Sequence, residues 1–173
     1  MFKEKGNAMK EIVVAGGCFW GVEEYYRRAK GIVEAISGYA QGHVENASYQ
    51  QVCSQETGHT EVVWLKYDPS SITLEKILEH LFRIMDPTTR NRQGNDIGSQ
   101  YRSGVYFIDP EDEPIIKAYI QNQQANYAKP IVTEVEPLRL FVKAEDYHQM
   151  YLIKNPTGYC HVNMNLLKPE EKK

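Results

Sequence analysis

A cysteine stands where a buried strand gives way to a helix. Gly16-Gly17-Cys18-Phe19-Trp20-Gly21 ends the apolar run Glu11 to Gly16 and opens a stretch in which Phe19, Val22 and Tyr26 recur at helical offsets. Unpaired backbone N–H groups and the positive end of a helix dipole converge at such a turn. The setting favours thiolate and pulls a cysteine below its free pKa of about 8.5. Gly16 and Gly17 permit a tight turn and leave room for a ligand. Glu23 and Glu24 oppose the effect only weakly, from beyond the first turn. Two readings fit these residues, a reactive nucleophile and a packed core thiol.

Glu61 is the second residue suited to chemistry. In the strand Thr60 to Tyr67 (TEVVWLKY) it shares a face with Val63, Leu65 and Tyr67, while Lys66 points the other way. A carboxyl heading an apolar face is partly desolvated, which raises its pKa and lets it hold and donate a proton near neutrality. The competing reading is an exposed glutamate at a strand end. Rival signatures are absent from the sequence: no C-x-x-C pair, glutamate at position 24 where a C-x5-R phosphatase loop needs arginine, and no G-x-G-x-x-G or P-loop. The five histidines show no metal-ligand spacing, so neither metal nor cofactor is expected.

The elements around these residues fit one domain in 173 residues: a loose charged segment 1–10, a domain 11–161 and a polar tail 162–173. Net charge −3 gives no footprint for nucleic acid or an anionic membrane. Neither a secretory signal nor an apolar run near the roughly 20 residues of a membrane span is visible, so the expectation is cytoplasmic. Helices are expected over Phe19–Lys30, from Ser71 or Thr73 to Asp86-Pro87, and after an Asp109 cap with Pro110 in the first turn. Strands are expected over Ile32–Tyr39, Thr60–Tyr67, Arg102–Ile108 and Thr133–Val142, with a short helix from Glu145 to Leu152. Loops fill 40–58 and 88–100. The core order strand, helix, strand, strand, helix, strand predicts an α+β fold of split-βαβ, ferredoxin-like type, its mixed or antiparallel sheet layered with helices.

The segment Gly17-Cys18-Phe19-Trp20-Gly21 resembles the signature of the methionine sulfoxide reductase A family. Further segments resemble that family in the same order: Val52-Cys53-Ser54 with Thr57-Gly58-His59-Thr60-Glu61, Tyr67-Asp68-Pro69, Asp86-Pro87, Arg92-Gln93-Gly94-Asn95-Asp96, Gln100-Tyr101-Arg102-Ser103, and Asp146-Tyr147-His148-Gln149 with Asn155-Pro156. The resemblance implies thiol-dependent reduction of methionine S-sulfoxide, free or in oxidised proteins under repair. Cys18 would be the nucleophile and Glu61 the general acid. Tyr49 and Tyr101 would hydrogen-bond the sulfoxide oxygen, Phe19 and Trp20 would receive the substrate methyl, and Asp96 would hold the substrate's backbone amide. A monomer is the default state of the family.

Oxygen transfer would leave Cys18 as a sulfenic acid, which condenses with a second thiol. Cys53 and Cys160 are the candidates. Asn155-Pro156-Thr157-Gly158-Tyr159-Cys160 resembles the family segment carrying the resolving cysteine, and Gly158 with a loose tail would give Cys160 mobility, so Cys160 is preferred. The resemblance implies a transient Cys18–Cys160 disulfide reduced by thioredoxin, or by dithiothreitol in vitro. No cysteine follows Cys160, which implies a two-cysteine cycle. The Gly-Tyr-Cys-His ending also resembles versions fused to a second reductase domain, and both a free-standing enzyme and such a domain fit. Two other readings are a Cys-nucleophile acyl or phosphoryl transferase with His59 or His148 as base, and a redox sensor switched by Cys18–Cys160.

Overall fold

Ile12, Val13, Val14 and Ala15 are all fully buried, as a strand covered on both faces must be. The computed structural model, which describes residues 8–173, places them in β1 (Lys10–Ala15) at the middle of a six-stranded sheet. Most of the expected loose segment 1–10 lies outside the described residues. β1 pairs antiparallel with β3 (Thr60–Tyr67) and β6 (Gly104–Phe107), and β3 pairs antiparallel with β2 (Ile32–Ala40). With α1 (Phe19–Arg28) and α3 (Leu74–Ile84) as the crossovers, this is the expected ferredoxin-like core.

Ten residues make α1 too short to be stable alone in water. It is held by packing: Phe19, Val22, Tyr25 and Tyr26 are buried against Ile12, Val14, Val63 and Leu65 of the sheet and Ile77, Leu78 and Leu81 of α3. Each such side chain contributes about 1.5–3 kcal/mol on burial. Basic Arg27 and Arg28 lie in its last turn. The other face of the sheet buries Val13, Val62 and Tyr106, with Trp64 and Phe141 packed on them.

Several expected boundaries shift for physical reasons. The loop 40–58 contains α2 (Tyr49–Cys53), started by a Ser48/Gln51 capping box. The loop 88–100 contains a two-stranded hairpin, β4 (Arg92–Gln93) and β5 (Asp96–Ile97). Thr73, not Ser71, caps α3. Asp109 makes a turn instead of a cap, its carboxylate accepting from the Glu111 N–H, and α4 begins later (Asp112–Gln123). The single strand expected over Thr133–Val142 is two: β7 (Glu134–Pro137) runs parallel to β6, and β8 (Phe141–Lys143) pairs with β2 at the opposite edge. A short 3-10 turn (Asp146–His148) and α5 (Tyr151–Lys154) replace the helix expected over Glu145–Leu152.

The tail 162–173 is docked, not loose. Val162 and Leu167 are buried, Lys30 N–H donates to the Glu171 carbonyl (2.7 Å), and Lys173 N–H donates to the Arg28 carbonyl (3.0 Å). The Glu171 carboxylate pairs with Arg83 and Lys76 at 2.7 and 2.6 Å. Among the described residues no helix is long and apolar enough to cross a membrane.

Candidate active site

Gly17 takes φ +94°, a left-handed conformation, and a side chain there would sit 2.8 Å from the Gln93 Cβ. This turn puts Cys18 at the N-cap of α1, nearly buried, with its side chain making no cap hydrogen bond. The next residue ties this turn to Glu61, because Phe19 N–H donates to Glu61 Oε1 at 3.0 Å. Glu61 is 1 % exposed on the core face of β3, as strand alternation requires. Burial lifts its pKa to about 8 against the lowering effect of the Phe19 N–H, and the charge of Asp96 adds to the rise.

Burial of Cys18 works against the thiolate expected at this turn. Burial pushes the thiol well above its ordinary value, the Glu61 charge pushes it further, and the Trp20 backbone N–H at the helix start only partly opposes them. The same carboxylate acts on Tyr39, Tyr49, Cys53 and Tyr101, each of whose pKa is raised first by burial. Glu61 thus lies within reach of two thiols and three phenols.

Separate elements hold the cluster in place. Thr60 Oγ1 donates at 3.0 Å toward the carbonyls of Gln100 and Arg102, fixing the 3-10 turn that carries Tyr101 beside the start of β3. Tyr49 opens α2. Trp20 stacks on Tyr151 (3.7 Å, 8°) and donates its indole N–H to His148 Nδ1 (2.9 Å). Phe19 lies against the same imidazole, at 5.1 Å. Phe19 and Trp20 thus form a fixed apolar wall next to Cys18. Asp96, in β5, accepts from the Tyr159 hydroxyl at 2.9 Å.

Neither histidine considered as a base is free to serve Cys18. His59 accepts from Gly42 N–H at Nδ1 (3.1 Å) and bonds the Val44 carbonyl through Nε2 (2.8 Å). His148, kept neutral by burial, uses Nδ1 to accept from Trp20. That bond leaves the imidazole proton on Nε2, so the ring has no acceptor left for a thiol.

Comparisons with known proteins decide what this geometry is for. A family model described as peptide methionine sulfoxide reductase matches residues 10–173. The peptide methionine sulfoxide reductase MsrA of Clostridium botulinum (strain Okra / Type B1) is 57% identical over 157 residues, covering 91% of this chain and all of the relative. Mxr1 of Saccharomyces cerevisiae in its reduced form superposes with a TM-score of 0.84 at 39% identity, over 90% of this chain and 91% of that one. The same yeast protein in complex with Trx2 matches at a TM-score of 0.59 and 30% identity, over 83% and 84%. The chain belongs to the peptide methionine sulfoxide reductase family. It is an oxidoreductase that uses thiol chemistry to reduce methionine sulfoxide to methionine.

In this methionine sulfoxide reductase all three cysteines are free thiols. The Cys160 sulfur nestles against α1: a Cβ on Gly21 would lie 2.9 Å from it. Gly21 is three positions beyond Cys18, and side chains so spaced on a helix have Cβ atoms about 5–6 Å apart. Cys160 therefore lies against the N-terminal part of the helix that Cys18 caps, near enough for its charge to act on that thiol. Its neighbours are hydrogen-bonded on both sides, Tyr159 to Asp96 and His161 to the Gly16 carbonyl (2.9 Å). A cavity of about 200 Å³, lined by Glu24, Arg28, Leu152, Pro156, Cys160 and Val162, gives the thiol a way to solvent. Cys53 lies nearer the cluster than a bystander would, one turn after Tyr49 on α2 and within the field of Glu61.

Sequence reasoning missed His148 and Tyr151 as supports of Trp20. The only signal for them was their place in and beside the Asp-Tyr-His-Gln motif.

Proposed function

We propose that the enzyme reduces the S epimer of methionine sulfoxide, free or in peptides and proteins, as a repair activity of the cytoplasm. The observation that carries the reading is the hydrogen-bonded Phe19–Glu61 link, which sets a carboxyl of pKa about 8 beside a buried cysteine. With its pKa pushed up to about 8, Glu61 faces Cys18 at neutral pH as an uncharged carboxylic acid: it already holds the proton that the sulfoxide oxygen takes, and it leaves burial as the main obstacle to the Cys18 thiolate.

The Cys18 thiolate attacks the substrate sulfur, and Glu61 delivers the proton to the sulfoxide oxygen. The Tyr49 and Tyr101 hydroxyls donate hydrogen bonds to that oxygen as charge grows on it. In the net step one oxygen moves from substrate sulfur to Cys18 sulfur: the sulfoxide is reduced by two electrons, and the thiol is oxidised to sulfenic acid. Phe19 and Trp20 receive the methyl group, and Asp96 accepts from the substrate's backbone amide. The S-epimer preference rests on the family resemblance. The Cys160 thiol then displaces water from the sulfenic acid, giving a Cys18–Cys160 disulfide. A dithiol restores both cysteines, and the yeast relative's complex with Trx2 supports thioredoxin in that role.

Separate assays of the two sulfoxide epimers with dithiothreitol test this function. Reduction of the S epimer with the R epimer untouched is the expected result, and an unreacted S epimer rejects it. Cys160→Ser should keep a single oxygen transfer per molecule while losing turnover with thioredoxin, because the sulfenic acid then has no partner thiol in place. Mass spectrometry after one turnover of the wild type should find Cys18 bonded to Cys160. A Cys18–Cys53 bond would overturn the assignment.

A further inference from the structure

Glu145 lies outside the reacting groups, yet its carboxylate touches two elements that frame them. Oε1 accepts from the Tyr39 hydroxyl at 2.7 Å, and Oε2 accepts from the Tyr49 backbone N–H at 2.9 Å. Tyr39 is fully buried, packs at 5.6 Å on Phe19, and is the direct cross-strand partner of Glu61. Tyr49 is the first residue of α2. One carboxylate thus bridges the strand beside the acid and the helix bearing a phenol of the cluster.

The need for such a bridge follows from the length of α2. Five residues cannot sustain a helix by their own hydrogen bonds. Val52 is the one residue of α2 that is fully buried. The Ser48 side chain accepts from Gln51 N–H, and the Gln51 side chain accepts from Ser48 N–H. That leaves the Tyr49 N–H as an orphan of the first turn, and Glu145 takes it. Bonds to an ionised acceptor are shorter and roughly twice as strong as neutral ones. Burial pushes the Glu145 carboxyl up, but the hydrogen bonds from Tyr49 and Tyr39 outweigh it and keep the group ionised, below the usual carboxylate range.

We propose that Glu145 is a positioning residue: through its bonds to the Tyr49 N–H and the Tyr39 hydroxyl it holds the Tyr49 phenol where the sulfoxide oxygen arrives. Glu145 does not meet the substrate. The inference rests on Tyr49 donating to that oxygen, so its test separates the two ideas. A glutamine at 145 keeps the size but loses the charge and one acceptor: with its oxygen on the Tyr49 N–H, its amide N–H faces the Tyr39 oxygen and the buried Tyr39 O–H proton is left without an acceptor.

Single-turnover oxygen transfer is measured for the wild type, Glu145→Gln, Tyr49→Phe and the double variant. Glu145→Gln should slow the maximal rate about tenfold, as a sub-ångström misplacement of a catalytic group does, with KM for the sulfoxide nearly unchanged. In the Tyr49→Phe background the same substitution should change the rate by less than about twofold, because there is no hydroxyl left to position. A full-sized effect in that background overturns the proposal, as does a rise in KM at constant maximal rate or no effect at all. Tyr49→Phe that reacts at the wild-type rate instead rejects the role of Tyr49 itself. Should Glu145→Gln fail to fold, Tyr39→Phe cuts only one of the two bonds. It should give a smaller loss that again vanishes with Tyr49→Phe, and an unchanged rate counts against the bridge.

Discussion

Cys18→Ser is expected to abolish oxygen transfer while leaving the fold as stable as before or slightly more so. Sulfur can accept the oxygen atom and become a sulfenic acid; a serine hydroxyl has no corresponding oxidised state. The substitution is also structurally mild, because Cys18 occupies the N-cap of α1 without making a cap hydrogen bond. Serine is among the preferred N-cap residues, where such a side chain contributes about 0.5–2 kcal/mol. Product analysis after mixing equimolar enzyme and sulfoxide should show no methionine, and thermal unfolding should show an unchanged or raised Tm. Stoichiometric methionine from the serine variant would remove Cys18 from the chemistry altogether.

Glu61→Gln should slow the same single turnover by about 10²–10⁴-fold, the usual worth of a positioned general acid. Glutamine preserves the bond from Phe19 N–H but has no proton to give. With the carboxyl at about 8, the wild-type rate should fall as pH rises through 8, and the variant should lack that inflection. Stability should move in the same window with a defined sign. The folded carboxyl holds its proton from 4.5 up to about 8, where the unfolded one has lost it. Folded molecules therefore bind more protons, stability declines as pH rises across that range, and the full penalty stands above pH 8. The shift corresponds to up to about 5 kcal/mol. Glu61→Gln escapes this penalty, so its Tm advantage over the wild type should widen between pH 5 and pH 9. A constant gap would mean that Glu61 is not buried as a titrating acid.

The parts of the molecule legible beforehand were those written in local pattern. Thr60–Tyr67 is an apolar run with sharp ends, and the structure places Glu61 on the face it shares with Val63, Leu65 and Tyr67. The ferredoxin-like order followed from the sequence of strands and helices around β1. What escaped depended on partners distant in the chain. The turn at Cys18 announces a helix dipole but says nothing of a carboxylate on β3 or of the depth of burial, and these two decide the protonation of the thiol. Five-residue α2 and the two-residue strands β4 and β5 are shorter than any period that could reveal them. The run Thr133–Val142 alternates well enough for one strand, but Pro137 ends β7 and the chain crosses to the far edge as β8. Polar composition suggested a solvated tail, whereas Glu171 is drawn onto α3 by Arg83 and Lys76.

Gly21 gives the Cys160 sulfur its berth by lacking a side chain. A helix normally advertises its partners through the groups it projects; here the address is a vacancy three residues beyond Cys18, and the Cys160 sulfur and Val162 methyl fill it. In the proposed cycle the second thiol is thus seated against the very helix that Cys18 caps. For anyone transplanting this chemistry to another scaffold, the portable unit is a cysteine, a gap three residues later, and a second chain segment shaped to the gap. Copying the two cysteines without the empty position between them would bring over the reactants and leave out the waiting room.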